Sequence, residues 1–351
     1  MRRSIYFITD QHKMITSGPG VFAGILKEFC VKKSINLKII CFEKGASWNL
    51  KILKLNKVKT FFIILLYSIR VTMISISHPK SVIFVNSFYH ILFAIQIKRY
   101  TIFVNDIKFD KSNKLLRNRA IKILKSAKQI VANSDYVKEY LSSIGVNRCL
   151  VLNKSLDTTF SDAWKIQRNV LHPYNRPTLR ILFIKNDWKI GGLEEVLADT
   201  LKIKKIAFHI TVVGISKNDF TEVNNICSRY LKRDQFEIMS TVSRNEVKKI
   251  CLNSDVLVNN CSVEAFCVSA LEAAVCGCLV ITRQFENGLN SLMKKYNFGY
   301  ILQSEESFYS YFDRDQLFLD IVKAQKDREK ITKNFNVNVM QDALVSLLDR
   351  S

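Results

Sequence analysis

Short apolar, often β-branched runs alternate along this chain with longer stretches whose apolar positions recur every three to four residues. SIYFIT (4–9), LKIICF (37–42), SVIFVN (81–86), TIFVND (101–106), QIVANS (129–134) and CLVLN (149–153) read as buried strands, and most segments between them read as helices. The scheme repeats with LRILFI (179–184), HITVVG (209–214), FEIM (236–239), VLVNN (256–260) and CLVIT (278–282). Strand–helix alternation implies parallel sheets covered on both faces, so the expected fold class is α/β with two Rossmann-like domains. The pattern breaks in WKIQRNVLHPYNRPTLR (164–180), which holds Pro173 and Pro177 of only four prolines. The expected organisation is a first domain over 1–165, a linker over 166–178, a second domain over 179–335, and a C-terminal helix over 336–351 returning to the first domain. Ligands of such sheets bind at the carboxyl ends of the strands.

In the second half, Glu264 and Glu272 stand eight positions apart in SVEAFCVSALEAAVCGCLVI. If Glu264 lies in the loop before a helix that carries Glu272, the two acids can reach two parts of one elongated ligand. The anionic middle of that ligand would meet free backbone N–H groups at the helix N-terminus. A sugar nucleotide has that shape.

The stretch resembles the E-x7-E signature of retaining, GT-B-fold glycosyltransferases of family 4, with NSDVLVNNCSVEAF before it and NGLNSLMKKYNFGYIL after it similar to the family's flanking segments. That resemblance is clear from about residue 180 to 302 and faint over the first half. It implies two parallel sheets facing across a cleft, a nucleotide-diphosphate sugar as donor, and no metal or other cofactor. By the same resemblance Glu272 holds the ribose hydroxyls, Glu264 the donor-sugar hydroxyls, and the amides of Phe266, Cys267 and Val268 the sugar and phosphate. RILFIKNDWKIGGLEEVLADTL resembles the family's strand, basic residue, loop and helix element, so Lys185 and Lys189 are expected on the donor diphosphate. Ile184 and Ile190 depart from the family pattern there, and Cys267 replaces the usual glycine of its turn.

In the first half, ITSGPGVFAGILKEF places Gly18 and Gly20 before a helix, where backbone N–H groups can approach an anion without a Cβ in the way. Gly18, Gly20 and Gly24 with Glu43 also suggest a dinucleotide site, and hence an NAD(P)-dependent oxidoreductase. Eight residues between the strand and Gly18 count against that reading. The family often has a histidine at the end of a first-domain strand, and Asn105-Asp106 occupies that place here. Asn105 can hydrogen-bond a sugar hydroxyl but takes no proton at neutral pH. His90, in apolar surroundings, is a poor substitute. These departures leave open a catalytically impaired binding protein of the same fold.

Charge changes the picture for partners. Residues 1–160 hold 27 Lys/Arg against 8 Asp/Glu, while residues 161–351 hold 26 against 23. The excess peaks in KSNKLLRNRAIKILKSAKQ, where Lys114, Arg117, Lys122 and Lys125 share a helical segment with leucines and isoleucines. A basic amphipathic helix suits an anionic membrane surface, so the expected acceptor is a glycan or lipid-pyrophosphate-linked chain, as in surface-polysaccharide assembly. KTFFIILLYSIRVTMISIS (59–77) is interrupted by Arg70 and reads as a buried helix with a membrane-facing edge rather than a span. MRRSIYFITDQHK has no signal-peptide pattern, and nine cysteines without C-x-x-C fit a reducing interior. The expected location is cytoplasmic, peripheral to the inner face of the membrane. Nucleic-acid binding would suit the charge, but no recognition module is present. Asp313-Arg314-Asp315 reads as a solvated turn, not a metal site.

Overall fold

The structure, a computed structural model, describes residues 4–9, 18–41, 57–86, 94, 100–105, 114–166 and 178–349. The chain forms two compact units, Met1–Lys154 with Met340–Ser351, and Ser155–Val339. Most of the expected linker, 167–177, lies outside the described residues, as do Glu43, His90 and Asp106. Residues 155–166 go with the second unit because Leu156, Phe160 and Ala163 are buried in its core, and the Leu156 N–H donates to the Phe335 carbonyl.

The first unit holds six parallel strands: β1 (Ser4–Thr9), β2 (Asn36–Cys41), β3 (Val82–Val85), β4 (Tyr100–Val104), β5 (Gln129–Ala132) and β6 (Cys149–Val151), in the order β2-β1-β3-β4-β5-β6. Helix α1 (Gly18–Lys32) links β1 to β2, α2 (Lys57–Ser77) links β2 to β3, α3 (Lys114–Ser126) links β4 to β5, and α4 (Asp135–Ser143) links β5 to β6. Helix α1 begins at Gly18, so both glycines fall in its first turn rather than ahead of it.

The second unit repeats the plan with β7 (Thr178–Ile184), β8 (Ala207–Val213), β9 (Phe236–Met239), β10 (Val256–Asn259), β11 (Leu279–Arg283) and β12 (Tyr300–Leu302), ordered β12-β11-β10-β7-β8-β9 and parallel throughout. Alternation along β7 sorts its side chains. Leu179, Ile181 and Phe183 face one hydrophobic cluster, with α5 (Leu193–Thr200) and α6 (Phe220–Tyr230). Leu182 faces the other, with α7 (Arg244–Asn253), α8 (Val268–Val275) and α9 (Gly288–Tyr296). Both faces of the sheet are therefore covered, and its strands can be apolar on both sides. Helices α10 (Phe308–Phe312), α11 (Gln316–Phe335) and α12 (Val337–Asp349) complete the chain.

Candidate active site at the carboxyl ends of the second sheet

The chain leaves β7 through β8 and β9 to one side and returns to β10 on the other side of β7. Connections therefore diverge beyond the carboxyl ends of β7 and β10, which opens a crevice there. Lys185 follows β7 directly, and the loop after β10 brings Glu264 back to it, with Lys185 Nζ 2.6 Å from Glu264 Oε2. The pair is about four-fifths buried at both side chains. Burial by itself lowers the Lys185 pKa; the Glu264 carboxylate, with Cys267 and Cys261 nearby, more than offsets this and holds the ammonium above the usual lysine value. The other Glu264 oxygen accepts from the Cys267 N–H at 3.2 Å.

Cys267 is the N-cap of α8 and stands in the left-handed region at φ 57°, where glycine is the unstrained choice. Its thiol turns inward, accepting from Asn259 Nδ2 at 3.2 Å with Ser269 Oγ alongside at 3.5 Å. Burial, reinforced by Glu264, pushes that thiol up to about 12.

Two glycines fix these loops. Gly192, at φ 66°, caps α5, and a Cβ there would meet Asn260 Nδ2 at 2.5 Å. Gly288 donates its N–H to the Glu264 carbonyl at 2.6 Å, and a Cβ on it would lie 1.9 Å from the Ala265 carbonyl oxygen. Beside it, Asn287 donates to the Cys261 carbonyl at 2.9 Å and caps α9 by accepting from the Asn290 N–H. The Asn287-Gly288 segment thus braces the loop that presents Glu264.

Glu272 has different surroundings. It sits in α8 between buried Leu271 and Ala273 and is only 2% exposed. An unpaired carboxylate there would cost several kcal/mol. Arg244 of α7 meets it with both terminal guanidinium nitrogens, while its Nε donates to Asp157 Oδ2 at 2.8 Å. The guanidinium also lies 4.8 Å from the Phe160 ring centroid. Burial opposes the Arg244 charge, but Glu272 and Asp157 outweigh it, and its pKa stands above the ordinary arginine value. Burial pushes the Glu272 carboxyl up, and the two-point contact with Arg244 works against that shift.

The remaining candidates are spread out. Lys189 turns away to Glu222 at 3.0 Å and over the Trp188 ring, and is largely exposed. The two lysines read as one phosphate-binding pair therefore have separate partners. The Phe266 side chain is buried against Phe335, and Val268 begins α8. In the first unit, Asn105 follows β4; its Nδ2 donates to Asn86 Oδ1 at 2.5 Å, and its carbonyl accepts from Asn133 Nδ2 at 2.8 Å. Lys122 and Lys125 are exposed on α3 and Arg117 is half-buried; Lys114 opens the helix. Asp313 closes α10 and accepts from the Lys205 N–H, while Asp315 precedes α11. Among the described residues, no three His, Cys, Asp or Glu side chains are grouped to hold a metal ion.

Comparison with known proteins agrees with this geometry. Residues 181–335 match the family described as Glycosyl transferases group 1, a span that contains Lys185, Arg244, Glu264, Glu272 and Gly288. No curated protein matches the chain in sequence. Among solved structures, the sucrose-phosphate synthase of Thermosynechococcus elongatus is similar in fold, with a TM-score of 0.75 at 14% identity over 99% of both chains. HepE of Anabaena, solved with UDP-glucose, gives 0.68 at 14% identity over 99% of this chain and 100% of its own. A glycosyltransferase of Rickettsia africae gives 0.65 at 15% identity over 99% and 97%. The chain has a two-domain, GT-B-like α/β fold, and residues 181–335, within its second unit, match the family described as Glycosyl transferases group 1.

Proposed function

We propose that the chain transfers a sugar with retention of anomeric configuration from a nucleotide-diphosphate donor, without a metal, as a family 4 enzyme of surface-polysaccharide assembly. The observation that carries this is the Lys185–Glu264 pair at the switch point of the second sheet. A buried cation next to a carboxylate suits the junction between a diphosphate and the sugar it carries. Lys185 draws charge from the leaving diphosphate, and Glu264 accepts from the sugar hydroxyls.

In the reaction, an acceptor oxygen bonds to the anomeric carbon on the face from which the diphosphate leaves. The bond from that carbon to the phosphate oxygen breaks, and the departing phosphate takes the acceptor's proton. Positioning and electrostatic stabilisation of the leaving group are the protein's contribution. Lys189, Gly18, Gly20, Asn105 and the 266–268 amides are further donor contacts in this reading. The Cys267 N–H among them is shared with Glu264. The ribose hydroxyls take Glu272 in competition with Arg244, which already meets both of its oxygens. UDP-sugars are the first donors to try, since HepE was solved with UDP and with UDP-glucose.

The acceptor is a glycan or lipid-pyrophosphate-linked chain at the inner face of the membrane, a reading supported by the concentration of positive charge in residues 1–160. Arg244's hold on Glu272 and the strained Cys267 support a second reading, donor binding without turnover.

Saturation-transfer NMR against a panel of sugar nucleotides, followed by a transfer assay with and without EDTA, tests both. Donor binding with EDTA-resistant transfer is expected. Binding without transfer to any lipid-linked or glycan acceptor favours the second reading, and EDTA inhibition reversed by magnesium or manganese contradicts the metal-free mechanism.

A further inference from the structure

Over its described side chains, residues 65–77, helix α2 turns mostly small residues inward and large apolar ones outward. Its buried positions are Ser68, Val71, Thr72 and Ser75, three of them small hydroxyl residues, and the Thr72 hydroxyl is turned back onto the Ser68 carbonyl at 2.8 Å. Among residues 65–77 its exposed large apolar positions are Leu66, Ile69, Met73 and Ile76, which are 63%, 50%, 60% and 56% exposed. At about 100° per residue these four lie within about 80° of one another, a single stripe roughly 15 Å long. The helix is thus buried on one face and exposed along the opposite edge. Small Ser68, Thr72 and Ser75 with Val71 fill the buried face, and Leu66, Ile69, Met73 and Ile76 are left exposed.

We propose that this stripe is an interfacial insertion surface for an anionic lipid bilayer. Four observations choose that occupant. Ser68, Val71, Thr72 and Ser75 are buried within the first unit, so α2 packs as part of that unit and offers a bilayer one face only. Residues 57–80 carry Lys57, Lys59, Arg70 and Lys80 and no acid, and Arg70 is exposed at the edge of the stripe. Apolar residues bordered by basic ones match the boundary between acyl chains and anionic headgroups. The strand order supplies the third. Both β2→β3 and β4→β5 step in the same direction across the sheet. Right-handed crossovers, which are nearly universal, put α2 and the basic helix α3 on the same face of it. Fourth, a second copy of the chain would bring the same cationic surface against itself, with 27 Lys/Arg against 8 Asp/Glu in residues 1–160 of each partner.

This inference rests on the membrane reading proposed above and assigns it a second, non-electrostatic half. Headgroup attraction through α3 decays within about 3 Å at 1 M salt, whereas apolar insertion does not weaken with salt.

The test is sedimentation of the full-length chain with phosphatidylglycerol or phosphatidylcholine vesicles at about 0.1 and 1 M salt. The variants are Leu66→Gln/Ile69→Gln/Met73→Gln/Ile76→Gln on the stripe and Lys114→Gln/Arg117→Gln/Lys122→Gln/Lys125→Gln on α3. The single change Met73→Glu disturbs folding least. Wild type should bind phosphatidylglycerol and keep a fraction of that binding in high salt. The stripe variant should lose that fraction and bind roughly tenfold less overall, and Met73→Glu should fall in the same direction. The α3 variant should lose only the salt-sensitive part. If it binds like wild type while the stripe variant does not, the α3 reading fails and the stripe stands. Unchanged binding of both stripe variants, with native circular dichroism, would overturn the proposal. So would the absence of wild-type binding, or a wild-type dimer that the stripe substitutions dissociate without any effect on vesicle binding.

Discussion

The carboxyl edges of the two sheets carry different chemistry. In the first unit the edge is a relay of neutral groups, with Asn86 donating to Thr9 Oγ1, Asn105 to Asn86, and Asn133 to the Asn105 carbonyl. In the second, the edge holds a buried ion pair, Lys185–Glu264, and α7 and α8 add the Arg244 cluster with Glu272 and Asp157. Amides fix loop geometry and can hydrogen-bond hydroxyls without changing charge. Ion pairs sit where the chemistry itself moves charge, as when a diphosphate departs. In the proposed reading, the difference gives the second unit the main charge for the donor's phosphates and gives the first edge a positioning role.

The largest expected effect is on stability. Arg244→Met strands the buried Glu272 carboxylate, and urea unfolding should show a loss of about 3–5 kcal/mol. A loss below about 1 kcal/mol would mean that Glu272 does not need its partner and that the charged edge is less committed than it looks. Next, Lys185→Met should lower kcat by roughly 10²–10³ with acceptor KM unchanged, if removing leaving-group stabilisation compares with removing an oxyanion donor. Asn105→Ala should cost about 0.5–1.5 kcal/mol of stability, one buried hydrogen bond, and change kcat far less. Equal kinetic losses in Asn105→Ala and Lys185→Met would erase the distinction between the edges. The smallest effect is chemical. Because the Cys267 thiol is pushed up to about 12, it stays protonated at pH 8, and it should alkylate much more slowly than a free cysteine, with the rate rising as pH rises. Rapid labelling of Cys267 at pH 8, read by mass spectrometry, would contradict its burial.

Much of this was legible in the chain. Strands end in asparagine at SVIFVN, TIFVN, QIVAN and VLVNN, and that recurrence could have pointed to Asn86 and Asn133 as well as Asn105. The placement of Glu264 before a helix carrying Glu272 was legible from their spacing together with the resemblance of the flanking segments to the family. Arg244 was not legible. Locally, SRNE reads as a capping box, which Ser243 and Glu246 do form, and nothing nearby signals that the guanidinium reaches a carboxylate 28 positions on. Strand β12 has only three residues, too few for a period to show. Helix α2 is apolar on most sides, so periodicity could not say which face would be covered. The prolines marked a break in composition, yet the packing of Leu156, Phe160 and Ala163 draws the preceding segment into the second unit.

The most direct test of the central claim is a calorimetric titration of wild type and Glu264→Gln with UDP and UDP-glucose, or with the corresponding pair for whichever nucleotide the wild type prefers. With the Lys185–Glu264 pair at the junction of diphosphate and sugar, Glu264→Gln should weaken the intact donor by about tenfold or more, the loss of one charged hydrogen bond. It should leave the free nucleotide bound as well as before or better, because Lys185 is released toward the phosphates. Equal weakening of both ligands, or none of either, would contradict the placement of the donor at this pair.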